Sequence, residues 1–116
     1  MQPIARLIAI TLATLSFAVH ADDKVLNLYS ARHYQTDEAL YANFTKHTGI
    51  KSNRIEGKED ELLERIRNEG SNSPADVFLT VDAARLAKAH ELGLFAPLNS
   101  KTLDSRIPAH LRTDDW

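Results

Sequence analysis

Val25-Leu26-Asn27-Leu28-Tyr29-Ser30-Ala31-Arg32-His33-Tyr34 is the stretch that decides the fold. The run from Val25 to Ser30 has the length of a buried strand. Asp37 and Glu38, a few residues on, suit the first turn of a helix because they oppose its positive end. A strand feeding a helix this quickly is the first half of a β-α-β unit. In open α/β sheets, ligands bind beyond the carboxyl ends of the strands. This strand end carries a guanidinium, an imidazole and a phenol at Arg32, His33 and Tyr34.

The same alternation continues downstream. Asp37 to Thr48 is expected to be a helix, with Gln35 or Thr36 as N-cap and Gly49 just past its end. Leu40, Tyr41 and Phe44 fall on one face of it, and Tyr41 is expected in the core. Ile50 to Ile55 is a second strand, ended by Gly57. Glu59 to Asn68 is a second helix with Leu62, Leu63 and Ile66 inward, and Leu40 and Phe44 are expected to pack on the sheet with them. Ser71-Asn72-Ser73-Pro74 is a turn. Val77-Phe78-Leu79 is a third strand. Asp82 caps a third helix, Ala83 to Leu92, ended by Gly93, and Phe95 to Leu98 is extended. Residues 99–116 hold short turns or a helical turn. The fold class is therefore α/β: a parallel sheet of β-α-β-α-β-α order with right-handed crossovers. A 2-1-3 strand order would bring the three strand ends, and the helix N-termini after them, to one rim.

The chain opens on a different pattern. Arg6 precedes an uncharged apolar stretch from Leu7 to Val19, and Val19-His20-Ala21 offers small residues before Asp22. Residues 1–21 form a secretory signal peptide by this pattern, too short for a span of about 20 apolar residues. Its loss removes Arg6 and leaves thirteen basic against sixteen acidic residues, a formal charge of −3. No basic patch points to nucleic acid. There is no cysteine, which excludes thiolate ligands and thiol nucleophiles and leaves an exported domain to core packing alone. With the end on Trp116 and no evident partner for it, residues 22–116 read as the N-terminal piece of a longer protein; a natural terminus with Trp116 docked on the core is the alternative.

Two adjacent donors in an irregular loop can face one rim together, and His33 and Tyr34 are such a pair. Tyrosinate with imidazole suits a hard, highly charged ion such as Fe(III). A free phenol has a pKa of about 10, so the metal itself must displace the proton. On residue type alone the bland reading competes: Tyr34 packed on the first helix and His33 solvated. Helix N-termini at the rim would equally suit an anion. Ser30 with His33 raises a hydrolase, but no Gly-x-Ser-x-Gly elbow surrounds Ser30. Glu56 and Glu59 offer carboxylates, although such runs usually open a helix. His47 and His90 sit near helix ends, where they complement the dipole.

Leu28 to Tyr34, Arg54-Ile55-Glu56-Gly57 and Ala75-Asp76-Val77-Phe78-Leu79-Thr80-Val81-Asp82, behind a signal peptide, resemble one family. It is the periplasmic ferric-iron-binding proteins of bacterial ABC transporters, within the extracellular solute-binding proteins. The resemblance implies the N-terminal lobe of a type II periplasmic-binding-protein fold, with two α/β lobes that close on the ligand. It implies a non-enzymatic carrier that captures Fe(III) in the periplasm and delivers it to a membrane permease. The adjacent His and Tyr of the family match His33 and Tyr34 as metal ligands. Some other members use a downstream Glu and a synergistic carbonate; Glu56 or Glu59 is the nearest match for the Glu. The family's further tyrosines, including a Tyr-Tyr pair, come from the second lobe. This chain has only Tyr29, Tyr34 and Tyr41, and so resembles half of such a site. The alternatives are a solute-binding protein for an anion, a polyamine or a sugar, and a small exported hydrolase.

Overall fold

The computed structural model describes residues 24–116. The expected signal peptide, residues 1–21, lies outside them. Three parallel strands, β1 (Val25–Ser30), β2 (Lys51–Glu56) and β3 (Val77–Leu79), form a sheet of order β2-β1-β3. Helices α1 (Asp37–Thr48) and α2 (Glu59–Glu69) make the crossovers; α3 (Ala83–Glu91) and the short α4 (Lys101–Arg106) follow. The expected strand-helix alternation and 2-1-3 order are what the chain adopts. Only boundaries move: β2 starts at Lys51 rather than Ile50, and α3 ends at Glu91.

Local chemistry accounts for the element ends. Gly49 closes α1 in the left-handed region (φ 72°), donating its N–H to the Thr45 carbonyl. A Cβ would strain that conformation, so glycine is favoured there. Asp82 caps α3 by accepting from the Arg85 N–H at 2.9 Å. Thr36 does not cap α1 as expected, because its backbone is already helical and its side chain makes no capping bond. A turn replaces the cap: the Asp37 N–H donates to the Tyr34 carbonyl at 3.0 Å.

The central strand holds the core. Leu28, Tyr29 and Ser30 are all buried, as a strand flanked on both sides and covered on both faces must be. Tyr29, Ala31 and Leu62 form a cluster with Ile55, Ile66, Ala75 and Phe78 around it. The Tyr29 hydroxyl donates to the Glu69 carboxylate at 3.0 Å, satisfying the polar end of a fully buried ring. Burial, then the Glu69 hydrogen bond, pushes the Tyr29 phenol above its ordinary pKa.

One packing expectation fails. Leu40 is 61% exposed and Phe44 only partly buried, whereas Leu62 and Leu63 are buried. The topology explains this. From β1 the chain steps outward to β2, then back across β1 to β3. Right-handed crossovers in opposite directions put α1 and α2 on opposite faces. Leu40 and Phe44 therefore do not share a core with Leu62, Leu63 and Ile66. Helix α1 lies over β2, the strand at the sheet margin, and part of its apolar stripe overhangs the edge. Trp116, expected to lack a partner, lines a cavity with Phe78, Leu86 and Phe95.

Candidate metal-binding rim

The parallel register carries the end of β1 to the rim. Ser30 lies level with Glu56 on one side and Leu79 on the other. The Ser30 carbonyl accepts from the Gly57 N–H at 3.3 Å, and the Ala31 N–H donates to the Leu79 carbonyl at 3.0 Å. The chain leaves the sheet just beyond, so residues 32–34 emerge between two neighbouring strand ends. They line a cavity of about 260 Å³ with Gln35, Glu38, Tyr41, Arg54 and Glu56.

His33 and Tyr34 both reach this rim, as expected. Their side chains stand open, His33 at 58% and Tyr34 at 56% exposure. His33 Nδ1 lies 3.9 Å from Glu56 Oε2. Among the described residues, the Tyr34 hydroxyl has no hydrogen-bond partner. Of the bland reading, an exposed His33 is what the structure shows, while Tyr34 is more than half exposed beside Glu38 and Tyr41 of α1.

The surroundings are ion-paired. Arg32 donates to Asp37 through Nε at 2.8 Å and NH2 at 3.1 Å, a bidentate fork. This fork holds the Asp37 carboxyl below its usual range. Arg54 reaches Glu38 the same way, at 2.6 and 3.2 Å, and stands 3.7 Å from Glu56. Guanidiniums also lie over both rim phenols, Arg32 5.0 Å from the Tyr34 ring and Arg54 4.6 Å from the Tyr41 ring. Each arginine has a carboxylate partner, so the positive charge at the rim is already spent. A cation fits here better than an anion.

The other candidates are placed elsewhere. Ser30 is fully buried, and its hydroxyl accepts from the Arg32 N–H at 3.1 Å. It braces the loop and does not face the cavity as a nucleophile. Glu59 accepts from the Val81 N–H at 2.6 Å and lies 3.6 Å from Arg85 Nε; it ties α2 to the β3–α3 loop, so of the two Glu candidates Glu56 is the one at the rim. His47 Nδ1 bonds the Asn43 carbonyl and His90 Nδ1 bonds Asp115. Tyr41, expected in the core, instead stands at the cavity wall. Glu38 and Tyr41 are missed by sequence reading as site residues. Their i, i+3 spacing, which puts both on one helix face, is the signal that relates them.

Across the described residues no group of three or more His, Cys, Asp or Glu is placed to hold a metal. His33 and Tyr34 would fill only two positions around an ion.

No protein-family model matches the chain. Iron uptake protein A1 of Synechocystis is 60% identical over 94 residues, 81% of this chain and 26% of that protein. The Fe(3+)-binding periplasmic protein of Serratia marcescens is 35% identical over 110 residues, 95% of this chain and 32% of the other. Over most of its length the chain is similar to iron uptake and ferric-iron-binding proteins. It spans between a quarter and a third of the length of these two relatives. The Trichodesmium IdiA/FutA protein, solved with iron and citrate, superposes with a TM-score of 0.74 at 60% identity. That match covers 78% of this chain and 29% of that one, and it places the sheet described above in the fold of the ferric-binding proteins.

Ion-paired carboxylates contribute to the acid stability expected of this chain. Asp37 is held low by Arg32, and Glu69 by Arg65 and then Ser73. Folded pKa values below the unfolded ones, about 3.9 for Asp and 4.3 for Glu, give stability that is present above those values. It is lost as pH falls through the folded pKa. Urea midpoints are expected to hold down to about pH 5 and fall below about pH 4. Glu69→Gln should lower the midpoint at pH 7 and flatten the acid fall.

Proposed function

We propose that this chain is the N-terminal lobe of a periplasmic ferric-iron-binding protein, with His33 and Tyr34 as its Fe(III) ligands. The observation that supports this best is the pair itself: two adjacent donors, both exposed at the strand-end rim, beside arginines already neutralised by carboxylates. The names of the homologues, iron uptake protein and Fe(3+)-binding periplasmic protein, and the iron and citrate in the Trichodesmium structure support the same ligand. A second lobe supplies the remaining tyrosinates, and an anion such as carbonate completes the shell. Export through residues 1–21 puts the protein in the periplasm, and an inner-membrane permease of an ABC transporter receives the iron. The chain is then a carrier, not an enzyme; burial of Ser30 supports this against a Ser30–His33 hydrolase.

The residues divide the work simply. His33 offers an imidazole nitrogen. Tyr34 gives up its proton to the solvent as the ion arrives and donates as phenolate. Glu56 stands 3.9 Å from the imidazole Nδ1 and adds negative charge beside it. Titrating the chain with ferric nitrilotriacetate is expected to quench aromatic emission and raise a visible phenolate-to-iron absorption. Sulfate, spermidine and glucose should do neither. Quenching or a thermal shift by one of those three, and none by iron, would overturn the assignment in favour of another solute.

A further inference from the structure

A closed loop of contacts ties Tyr34 to Arg32 and Asp37. The Ser30 hydroxyl accepts from the Arg32 N–H at 3.1 Å and lies 3.3 Å from its carbonyl, to which it donates. The Arg32 guanidinium then forks onto Asp37 at 2.8 and 3.1 Å. The Asp37 N–H donates to the Tyr34 carbonyl at 3.0 Å. The Arg32 guanidinium closes the loop by lying 5.0 Å from the centre of the Tyr34 ring. Asp37 is thereby bound to Arg32 by its side chain and to Tyr34 by its backbone.

We propose that Arg32, clamped by Asp37, is a positioning residue for Tyr34, its guanidinium plane fixing the phenol ring at the cavity wall. This rests on the reading of Tyr34 as an iron ligand. Tyr34 needs such help. It sits in an irregular loop, is more than half exposed, and its hydroxyl has no hydrogen-bond partner among the described residues. A free ring in such a place samples several rotamers, and the entropy of ordering it would oppose iron capture. An unclamped arginine would give little restraint, since its own chain is flexible. With its backbone bound to Ser30 and its head to Asp37, the arginine is already ordered, so its contact with the Tyr34 ring is preformed. Lysine carries the charge but neither the fork nor the plane. Position and charge can therefore be separated by substitution.

The test titrates Arg32→Lys, Arg32→Ala, Asp37→Asn and the Arg32→Ala/Asp37→Asn double variant of this chain with ferric nitrilotriacetate, with Tyr34→Phe as reference. The visible band and the apparent affinity are read. Each single variant is expected to lose about 10–100-fold in affinity, as groups that orient metal ligands do. Each should also move the band maximum. The double variant should lose no more than the worse single one, because the two residues act as a unit. Circular dichroism confirms folding; should Arg32→Ala not fold, Arg32→Lys and Asp37→Asn decide alone. A purely structural role would lower the melting temperature and leave the band maximum where it is. Affinities within twofold of the parent, with a band that Tyr34→Phe abolishes, would overturn the positioning role and leave Tyr34 as a ligand. A band that survives Tyr34→Phe would remove the ligand assignment and the positioning role with it.

Discussion

Tyr34→Phe is expected to abolish the visible phenolate-to-iron absorption and to weaken ferric binding by this chain at least about 100-fold, or about 2.8 kcal/mol. The reason is charge. Fe(III) is a hard trivalent ion, and Tyr34 is the one open phenol among the candidate ligands at the rim. Arg32 and Arg54 are neutralised by Asp37, Glu38 and Glu56, so the surroundings cannot replace the lost anion. Phenylalanine keeps the ring under Arg32 and removes only the donor atom. His33→Ala should cost less and leave the colour, since imidazole is neutral and gives no such band. The parent itself should bind weakly. With one imidazole and one phenolate, several positions on the ion stay with water or chelator, and each missing factor of ten is about 1.4 kcal/mol. Visible titration of parent and variants side by side measures this. A colour that survives in Tyr34→Phe, or tight one-to-one uptake that competes with citrate, would sink the assignment.

The second large effect is on stability. Tyr29→Ala is expected to cost about 3–5 kcal/mol, the range for deleting a buried aromatic. Tyr29 is fully buried at the middle of the sheet, touches the Leu62 side of α2, and carries the Arg65 guanidinium 5.1 Å from its ring centre. A small domain has about 5–15 kcal/mol to lose, so this variant should be largely unfolded well below the melting temperature of the parent. Tyr29→Phe separates the ring from its hydroxyl. Glu69 keeps Arg65 at 2.8 Å and Ser73 at 2.7 Å, so the loss there should be about 1 kcal/mol. Urea unfolding followed by circular dichroism gives both values. A loss below about 1 kcal/mol for Tyr29→Ala would show that the α2 side of the sheet is not the structural core.

Three tyrosines of one chemistry thus have three fates, and the contrast shows how far sequence reading reaches. Tyr34 was legible as a rim residue because two polar aromatic residues follow a buried strand before a helix can start. Tyr29 was legible as strand but not as the centre of the core, since that depends on Leu62 and Phe78 arriving from other elements. Tyr41 was misread. Its spacing with Leu40 and Phe44 marks an apolar face, but the face lies over a marginal strand, where Arg54 covers the ring.

What the amino-acid sequence determined by itself is local. Apolar runs of strand length, acidic first turns, the Asp82 cap and the glycine at position 49 set the elements and their order. Three strand-helix units then imply a parallel sheet, and His33 and Tyr34 fall at a strand end whatever the packing. What tertiary structure decided is every relation across the crossovers. The level pairing of Ser30 with Glu56 brought a carboxylate beside His33. The fold of α1 onto β2 joined Glu38 to Arg54, sixteen residues apart. The reversal of direction from β2 to β3 put α1 and α2 on opposite faces and left Leu40 in water. Such contacts depend on the register and handedness of segments far apart in the chain, which local propensity and periodicity do not encode.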